Sequence, residues 1–519
     1  MEASSSQPRN VHFLALVHGM WGNADHLKAV EESILKRFAD VESDTELVTL
    51  RVQTNANSHT YDGLDWGAER AVKEASHTIE LHIGFINECV QINQRIEEVE
   101  ADGSKKVTKF SIFGYSLGGL ISRYAIGILY QRGFFRTVKP INFTTFATPH
   151  LGLPRLRGFI GGVMHKLGPK MLSRTGQQFY GMDKDIWSSD DKEGRPLLEV
   201  MADQNSIFFK ALKSFPQVAF YGNAVNDLTV VYCSSMAEEY DPFAALQTKS
   251  HRLGIKMDPK YKHVIESYEE VPAGEEVPMS DIDKAEKARR AALHWYSPER
   301  YRTTRPFLPP FLQFPFPLNL ILYLCLPFLI PAGLGYAVVR FKSESRSSQR
   351  RLQALLDSPD SHSALSAMMR KMEMAVADMV DPSDPGVAEG WEADMDGQTM
   401  VFEGGSNEDG QRRKATPSLP ETGARSLLTP PTELDRKLES KTSTLPKPNP
   451  DDPLQPMLTP SQRAMAKSLS SIPQLRKVRA YFPYVRNAHS VIIVRDPKLF
   501  PIHLDGMGVV QHWVDQFML

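Results

Sequence analysis

The chain has almost no cysteine: Cys89, Cys233 and Cys325 are the three in 519 residues. They lie far apart in sequence, so neither a disulfide framework nor a zinc-binding spacing is present. A reducing, cytosol-facing protein without metal or cofactor is expected. An excess of charge is also missing. Lys and Arg number 60 against 62 Asp and Glu, a net charge of −2, which removes the electrostatic reason to expect nucleic acid as a partner. The first ten residues are polar and Ser-rich and read as a flexible N-terminus. The apolar run Val11–Val17 that follows is too short for a secretory signal and reads better as a strand. Two further absences are local. No charged residue occurs from Pro306 to Val339, and almost no aromatic one from Asp381 to about Ser470.

What the sequence does contain is organised around Gly114-Tyr115-Ser116-Leu117-Gly118. An apolar run, Val107–Phe113, precedes it, and a helical pattern, Leu120–Ile126, follows. Strand, G-x-S-x-G turn and helix together form the context of a nucleophile elbow. Gly114 and Gly118 are required sterically, because so sharp a turn crowds any Cβ. Ser116 at the apex is the candidate nucleophile. Leu117 would offer its N–H at a helix N-terminus, where negative charge is favoured.

The remaining groups follow in chain order. Val11–Val17 suits a buried parallel strand and ends in His18-Gly19-Met20-Trp21-Gly22, where a second oxyanion donor is expected from the Met20 N–H. His18 reads as a structural residue of this loop. Glu46–Val52 is the next strand, and a long amphipathic helix is expected from about Gly67 to Glu98. Between them, Asn57–Gly63 reads as a loop capped by its own side chains, with a place at the mouth of the site as the alternative. Ile141–Phe146 and Val218–Asn223 are further strands. Residues 158–178 are either a mobile lid or an ordinary part of a cap.

An acidic residue just past the strand Val218–Asn223 would orient a catalytic base, which selects Asp227, with Asp203 and Asp241 as fallbacks. His150 follows the serine too soon for the usual order of serine, acid, histidine. His489 is therefore the candidate base, in a loop leading into a final strand at Ala488–Val494. A closing helix from Gly508 to Phe517 carries His512, and His503 lies between. Serine needs a base to take its proton, imidazole titrates near neutrality, and a carboxylate fixes the imidazole tautomer.

The charge-free segment 306–339 exceeds the roughly 20 apolar residues that span a bilayer, so membrane contact is expected. Ser116 and Asp227 precede it and His489 follows it. A single crossing would separate base from nucleophile, so the segment must enter and leave by one face. Basic residues flank both ends, Arg300, Arg302 and Arg305 before and Arg340, Lys342 and Arg346 after, which favours the cytosol for both. Pro315, Pro317, Pro327 and Pro331 offer bends for a hairpin in a bilayer or a lipid-droplet monolayer. Residues 343–380 read as a linker with a helix at Ala364–Met379, and 381–477 as a disordered Pro/Ser/Thr-rich insertion. Residues 478–519 would complete a core begun at 11–300, with a lid or cap at about 153–215.

Four motifs taken together resemble a known family. They are Leu16–Gly22, Thr60-Tyr61-Asp62-Gly63 with Gly67-Ala68-Glu69-Arg70, Gly114–Gly119, and Thr148-Pro149-His150-Leu151-Gly152. The family is that of the serine esterases which include the fungal lipid-droplet phospholipases. The resemblance covers about Val11 to Tyr240 and resumes near Asn487. It implies an α/β-hydrolase fold with a mostly parallel sheet, acting on acyl esters of lipids: phospholipids foremost, with triacylglycerol or sterol esters as alternatives. Its partners would be a lipid substrate and a membrane or lipid-droplet surface, with the catalytic domain facing the cytosol. A thioesterase, a lipid deacylase or an acyltransferase would use the same triad, and an inactive membrane-anchored scaffold is the reading from another class.

Overall fold

The computed structural model describes residues 8–41, 43–53, 55–72, 96, 99–101, 104–184, 194–247, 253–272, 275–294, 318–357 and 455–519. The helix at 364–379, most of the insertion 381–477, Cys89, the later part of the helix 67–98 and the beginning of the charge-free segment lie outside the described residues.

The strands are β1 (Arg9–Val17), β2 (Thr45–Arg51), β3 (Lys105–Tyr115), β4 (Lys139–Phe146), β5 (Gln217–Asn223), β6 (Leu253–Met257), β7 (Ile265–Glu270) and β8 (Leu475–Ala480). The principal helices are α1 (Lys28–Phe38), α2 (Leu64–Val72), α3 (Leu117–Gln131), α4 (Gly158–Met171), α5 (Ser173–Phe179), α6 (Leu197–Ala202), α7 (Ile207–Lys213), α8 (Tyr232–Met236), α9 (Asp281–Ala292), α10 (Leu318–Asp357), α11 (Pro460–Ser470) and α12 (Met507–Gln516). Six strands form one sheet in the order β2-β1-β3-β4-β5-β8, every neighbouring pair parallel. β6 and β7 form a separate antiparallel pair.

A parallel sheet covered on both faces demands strands apolar on both sides, and residues 11–17 of β1 are buried without a break. One hydrophobic cluster joins the sheet to α2, α3 and α7 through Leu64, Ala68, Leu120, Ile121 and Phe208. The other joins it to α1 and α12 through Val30, Ile34, Val510 and Trp513. Trp513 is fully buried and still satisfies its indole N–H, which donates to Thr144 Oγ1 at 3.2 Å. Burying each such large apolar side chain stabilises the fold by about 1.5–3 kcal/mol.

The carboxyl ends of β1, β3 and β5 place the loops that matter. Val17 lies opposite Gly114 in the β1–β3 register, and Tyr115 opposite Phe146 in β3–β4. In the cap region, α5 is tied to the core: Arg174 donates to both oxygens of Asp65, and Gln178 bridges Asp65 and the Leu64 N–H. Burial pushes Asp65 up, but the Arg174 guanidinium outweighs it and holds the carboxyl below the usual range.

Three elements differ from the sequence reading. The last strand is β8, not Ala488–Val494. That segment is a run of tight turns, with Val491 N–H donating to Ala488 O, Val494 N–H donating to Val491 O, and Val494 at φ 54°. Its apolar residues fill the second hydrophobic cluster, so a buried turn carries the composition of a strand. The stretch assigned to the insertion also contains α11 and the beginning of β8. Thr459 caps α11 through a reciprocal capping box with Gln462. Finally, Leu318–Asp357 is one continuous helix with Pro327 and Pro331 in its interior, so neither proline forms the bend of a hairpin, and Pro315 and Pro317 lie outside the described residues.

Candidate active site

Ser116 stands between β3 and α3 with φ 54° and ψ −124°, a region that L-residues rarely occupy and that costs about 1–3 kcal/mol. The surroundings enforce it. A Cβ on Gly114 would lie 2.4 Å from Gly119 Cα, and one on Gly118 would lie 2.2 Å from Val17 O. The elbow therefore closes only with glycine at both places. Ser116 N–H donates to Phe146 O at 2.8 Å, which anchors the apex to β4.

The structure brings Ser116, Asp227 and His489 together. His489 Nε2 lies 3.0 Å from Ser116 Oγ, and His489 Nδ1 lies 3.0 Å from Asp227 Oδ2. Ser116 and His489 are buried, at 6% and 7% exposure. Asp227 accepts from the N–H groups of Thr229 and Val230, each at 2.9 Å, and from Asn223 Nδ2 at 2.8 Å. Burial alone would raise its pKa. The charge and hydrogen bond of His489, with the Val230 and Asn223 donors, outweigh burial and hold the carboxyl below its usual value. Such a chain can pass a proton from an alcohol to an imidazole that is fixed in one tautomer.

The loop that presents His489 is held at several points. Ala488 N–H donates to Asn226 O at 2.8 Å, His489 N–H to Asn487 Oδ1 at 3.1 Å, and Tyr115 OH to His489 O at 2.9 Å. Tyr115 and Asn487 were missed as site residues in the sequence. Tyr115 was visible as the variable position of the elbow motif, whereas nothing in the sequence singles out Asn487 beyond its place two residues before the histidine.

The expected oxyanion donors sit on either side of the serine. Leu117 opens α3, and Met20 is half-buried against the core in the loop after β1. That loop passes directly over the nucleophile, since a Cβ on Gly19 would lie 2.8 Å from Ser116 Cβ. It is braced from behind. Trp21 N–H donates to Thr60 Oγ1, Trp21 Nε1 donates to Tyr61 OH at 2.8 Å, and Asn57 N–H donates to Gly22 O at 3.0 Å. Asn57–Tyr61 forms a 3-10 turn whose Thr60 hydroxyl also returns to Asn57 O. It is thus a self-capped loop that supports the loop above Ser116 from behind.

The other candidates are held elsewhere. His150 is fully buried, stacks on Phe220 and contacts Thr145 Oγ1; burial, reinforced by Arg123, pushes its pKa well down. His18 turns Nδ1 to Gly19 O, His503 contacts Ser490, and His512 contacts Tyr221 OH. Asp203 pairs with Arg195, and Asp241 accepts from Phe243 N–H. Among the described residues no group of three or more His, Cys, Asp or Glu side chains could hold a metal ion. A cavity of about 740 Å³ lined by Leu253, Ile255, Met279, Tyr481 and Tyr484 contains none of the three central residues.

A parallel six-stranded sheet with a strained serine elbow at a strand end, and a histidine and an aspartate arriving from later loops, defines an α/β-hydrolase type of protein. Residues 7–239 match the model of the family described as "Putative serine esterase (DUF676)". Two curated relatives are yeast proteins. A putative lipase of Schizosaccharomyces pombe is 26% identical over 45% of this chain and 27% of its own. Putative lipase ROG1 of Saccharomyces cerevisiae is 33% identical over 25% of this chain and 18% of its own. The matched part thus spans about a quarter or less of these relatives. Among solved structures, a "putative cell surface hydrolase" from Lactobacillus plantarum aligns over 44% of this chain and 75% of its own, at 11% identity and a TM-score of 0.20.

Proposed function

We propose that this protein is a serine hydrolase that cleaves acyl ester bonds of lipids at a membrane or lipid-droplet surface, with Ser116 as nucleophile, His489 as base and Asp227 as orienting carboxylate. The observation that carries the reading is the continuous contact from Ser116 Oγ through His489 to Asp227 on a strained elbow. Backbone strain at a strand end, with an imidazole within hydrogen-bond reach of the hydroxyl, is the arrangement that an activated nucleophile requires.

In this mechanism the Ser116 oxygen attacks the ester carbonyl while His489 Nε2 takes its proton. The N–H groups of Leu117 and Met20 receive the negative charge that develops on the carbonyl oxygen; each such donor is worth about 3–4 kcal/mol of barrier. His489 returns the proton to the departing alcohol, leaving an acyl-Ser116 ester. Water, deprotonated by the same imidazole, attacks that ester and releases the fatty acid. Asp227 keeps Nδ1 protonated and stabilises the imidazolium in both halves.

Two observations support a lipid substrate: the curated relatives are named lipases, and the first half of α10 exposes Leu320, Ile321, Leu324, Phe328 and Leu329. The test is a fluorophosphonate probe together with a panel of phospholipids, triacylglycerols, sterol esters and thioesters. Wild-type labelling that is lost in Ser116→Ala, with fatty acid released from ester lipids, is the expected result. Absence of labelling in both proteins would overturn the reading.

A further inference from the structure

The helix α10 has two halves of opposite character. Its first half, from Leu318 to Val339, is charge-free, and Leu324, Phe328, Tyr336 and Val339 are exposed on it at 76%, 79%, 68% and 69%. Tyr323, Leu329 and Ile330 are exposed as well, at 55%, 51% and 45%, and with them the exposed side chains surround the helix, so a one-sided protein groove would leave many of them in water, whereas a lipid phase covers them all. At 1.5 Å per residue this arm is about 33 Å long, and it belongs to a helix long and apolar enough to cross a membrane. The second half, from Phe341 onward, is docked on the catalytic core.

The docking contacts converge on the walls of the candidate site. Phe341 stacks on Trp21, ring centroids 5.7 Å apart, and Trp21 adjoins Met20 in the loop above Ser116. Arg351 reaches the turn behind that loop, donating to Ser58 O at 3.1 Å and to Asp62 Oδ1 at 2.8 Å. The Asp62 carboxylate is buried, and its other oxygen accepts from Arg70 at 2.8 Å, so Arg351 completes a fixed pair rather than a surface contact. Ser345 Oγ donates to Lys170 O at 3.3 Å, and Ser348 Oγ lies 3.3 Å from the buried Ser173 Oγ. Ser173 joins α4 to α5 at φ 54°.

We infer that α10 is a coupling strut: its apolar arm inserts in a lipid surface, and its docked half, through Phe341 and Arg351, positions the Met20–Trp21 loop over Ser116. Lipid anchoring and the geometry of the oxyanion side of the site then depend on one rigid element. Phe341 and Arg351 are positioning residues in this account, since they act through Trp21 and the turn at Ser58–Asp62. The inference rests on the proposed hydrolase reading for its kinetic arm only.

The experiment uses the full chain with Phe341→Ala, Arg351→Gln and the conservative Phe341→Tyr, read in two independent ways. In amide hydrogen exchange, residues 18–23 and 57–62 should exchange at least about 10-fold faster in Phe341→Ala and Arg351→Gln, with β1 and α3 unchanged as the control for folding. Unchanged exchange in the loop overturns the strut, whether or not Ser116 reacts. In the second arm, kcat on a soluble short-chain ester should fall about 10-fold at unchanged KM, short of the roughly 100-fold or more that loss of an oxyanion donor costs. Phe341→Tyr should restore it, and all three variants should still float with phosphatidylcholine-coated triolein droplets. A wild-type kcat in Phe341→Ala and Arg351→Gln also overturns the inference, whereas failure of the wild type to react with fluorophosphonate counts against the hydrolase reading alone.

Discussion

At the scale of single residues, the site depends on a few contacts whose removal has calculable consequences. Asp227→Asn keeps the shape of the side chain but removes the charge that holds the His489 tautomer. Its kcat is expected to fall by about 10⁴, measured on a soluble ester with fluorophosphonate reactivity in parallel. Tyr115 acts differently, because its hydroxyl donates to the His489 carbonyl and not to a reacting atom. Tyr115→Phe leaves that carbonyl without its donor in a buried place, a loss of about 1–3 kcal/mol of stability, and should lower kcat more than it changes KM. Gly118→Ala tests the elbow itself. Its new Cβ would sit 2.2 Å from Val17 O and 2.5 Å from His18 O, so β1 and the loop after it must move. Overpacking of this kind costs about 1–3 kcal/mol, and a melting temperature equal to that of the wild type would show that the elbow is looser than its contacts indicate.

At the scale of elements, the cap carries a pH dependence of its own. Asp183 is buried, and its Oδ2 accepts from the Leu197 N–H at the start of α6. Burial, aided by the nearby Asp65 charge, raises its pKa from 3.8 to about 6. The unfolded chain therefore gives up this proton first as pH rises. The stabilisation is complete below the ordinary value and is lost progressively up to about pH 6, by about 3 kcal/mol in all. Asp183→Asn should flatten the melting temperature between pH 4 and 6; a slope equal to that of the wild type would remove Asp183 as its source.

The elements also explain which parts of the molecule could be read in advance. β1, β3, β4 and β5 were legible because buried parallel strands are continuous apolar runs, and the elbow was legible because its glycines are sterically forced. Ser116 was read from the elbow motif, Asp227 from its place just past β5, and His489 from the order of serine, acid and histidine; the three side chains lie in hydrogen-bond contact. Ala488–Val494 misled because burial in a turn selects the same residues as burial in a strand. β8 escaped because Leu475-Arg476-Lys477-Val478-Arg479 at the sheet edge is mostly basic. Its charges are satisfied by contacts that no local pattern reveals, such as Arg479 with Glu238 at 2.8 Å. The small sheet of β6 and β7 escaped because β6 alternates over only five residues and the buried positions of β7 are three apart, which is not a strand period.

At the scale of the whole molecule, the order of the chain limits how it can meet a lipid phase. The central sheet draws strands from both sides of α10, with β5 before it and β8 after it paired from Val218–Leu475 to Asn223–Ala480. The docked half of α10 rests on the same core as α5 and the turn at Asn57–Tyr61. In the proposed lipid-bound state both flanks of the charge-free segment must therefore lie on the side of the surface that holds the sheet, with the helix continuous through Pro327 and Pro331. An arm that enters and does not emerge fits a lipid monolayer over an oil phase, which has no aqueous far side for the tip to reach. Cys325 lies exposed on the arm and Cys233 is buried in the core, which makes the arrangement measurable by thiol labelling. In a Cys89→Ser background bound to phosphatidylcholine-coated triolein droplets, reaction of Cys325 with a water-soluble maleimide should fall at least about 10-fold relative to protein without lipid. Cysteines introduced as Thr303→Cys and Ser343→Cys should stay reactive on the droplets. On sealed phosphatidylcholine liposomes both should also react with maleimide added outside. Protection of either one until the liposomes are lysed would mean that the chain crosses the bilayer between them, and then β8 and His489 could not reach Ser116.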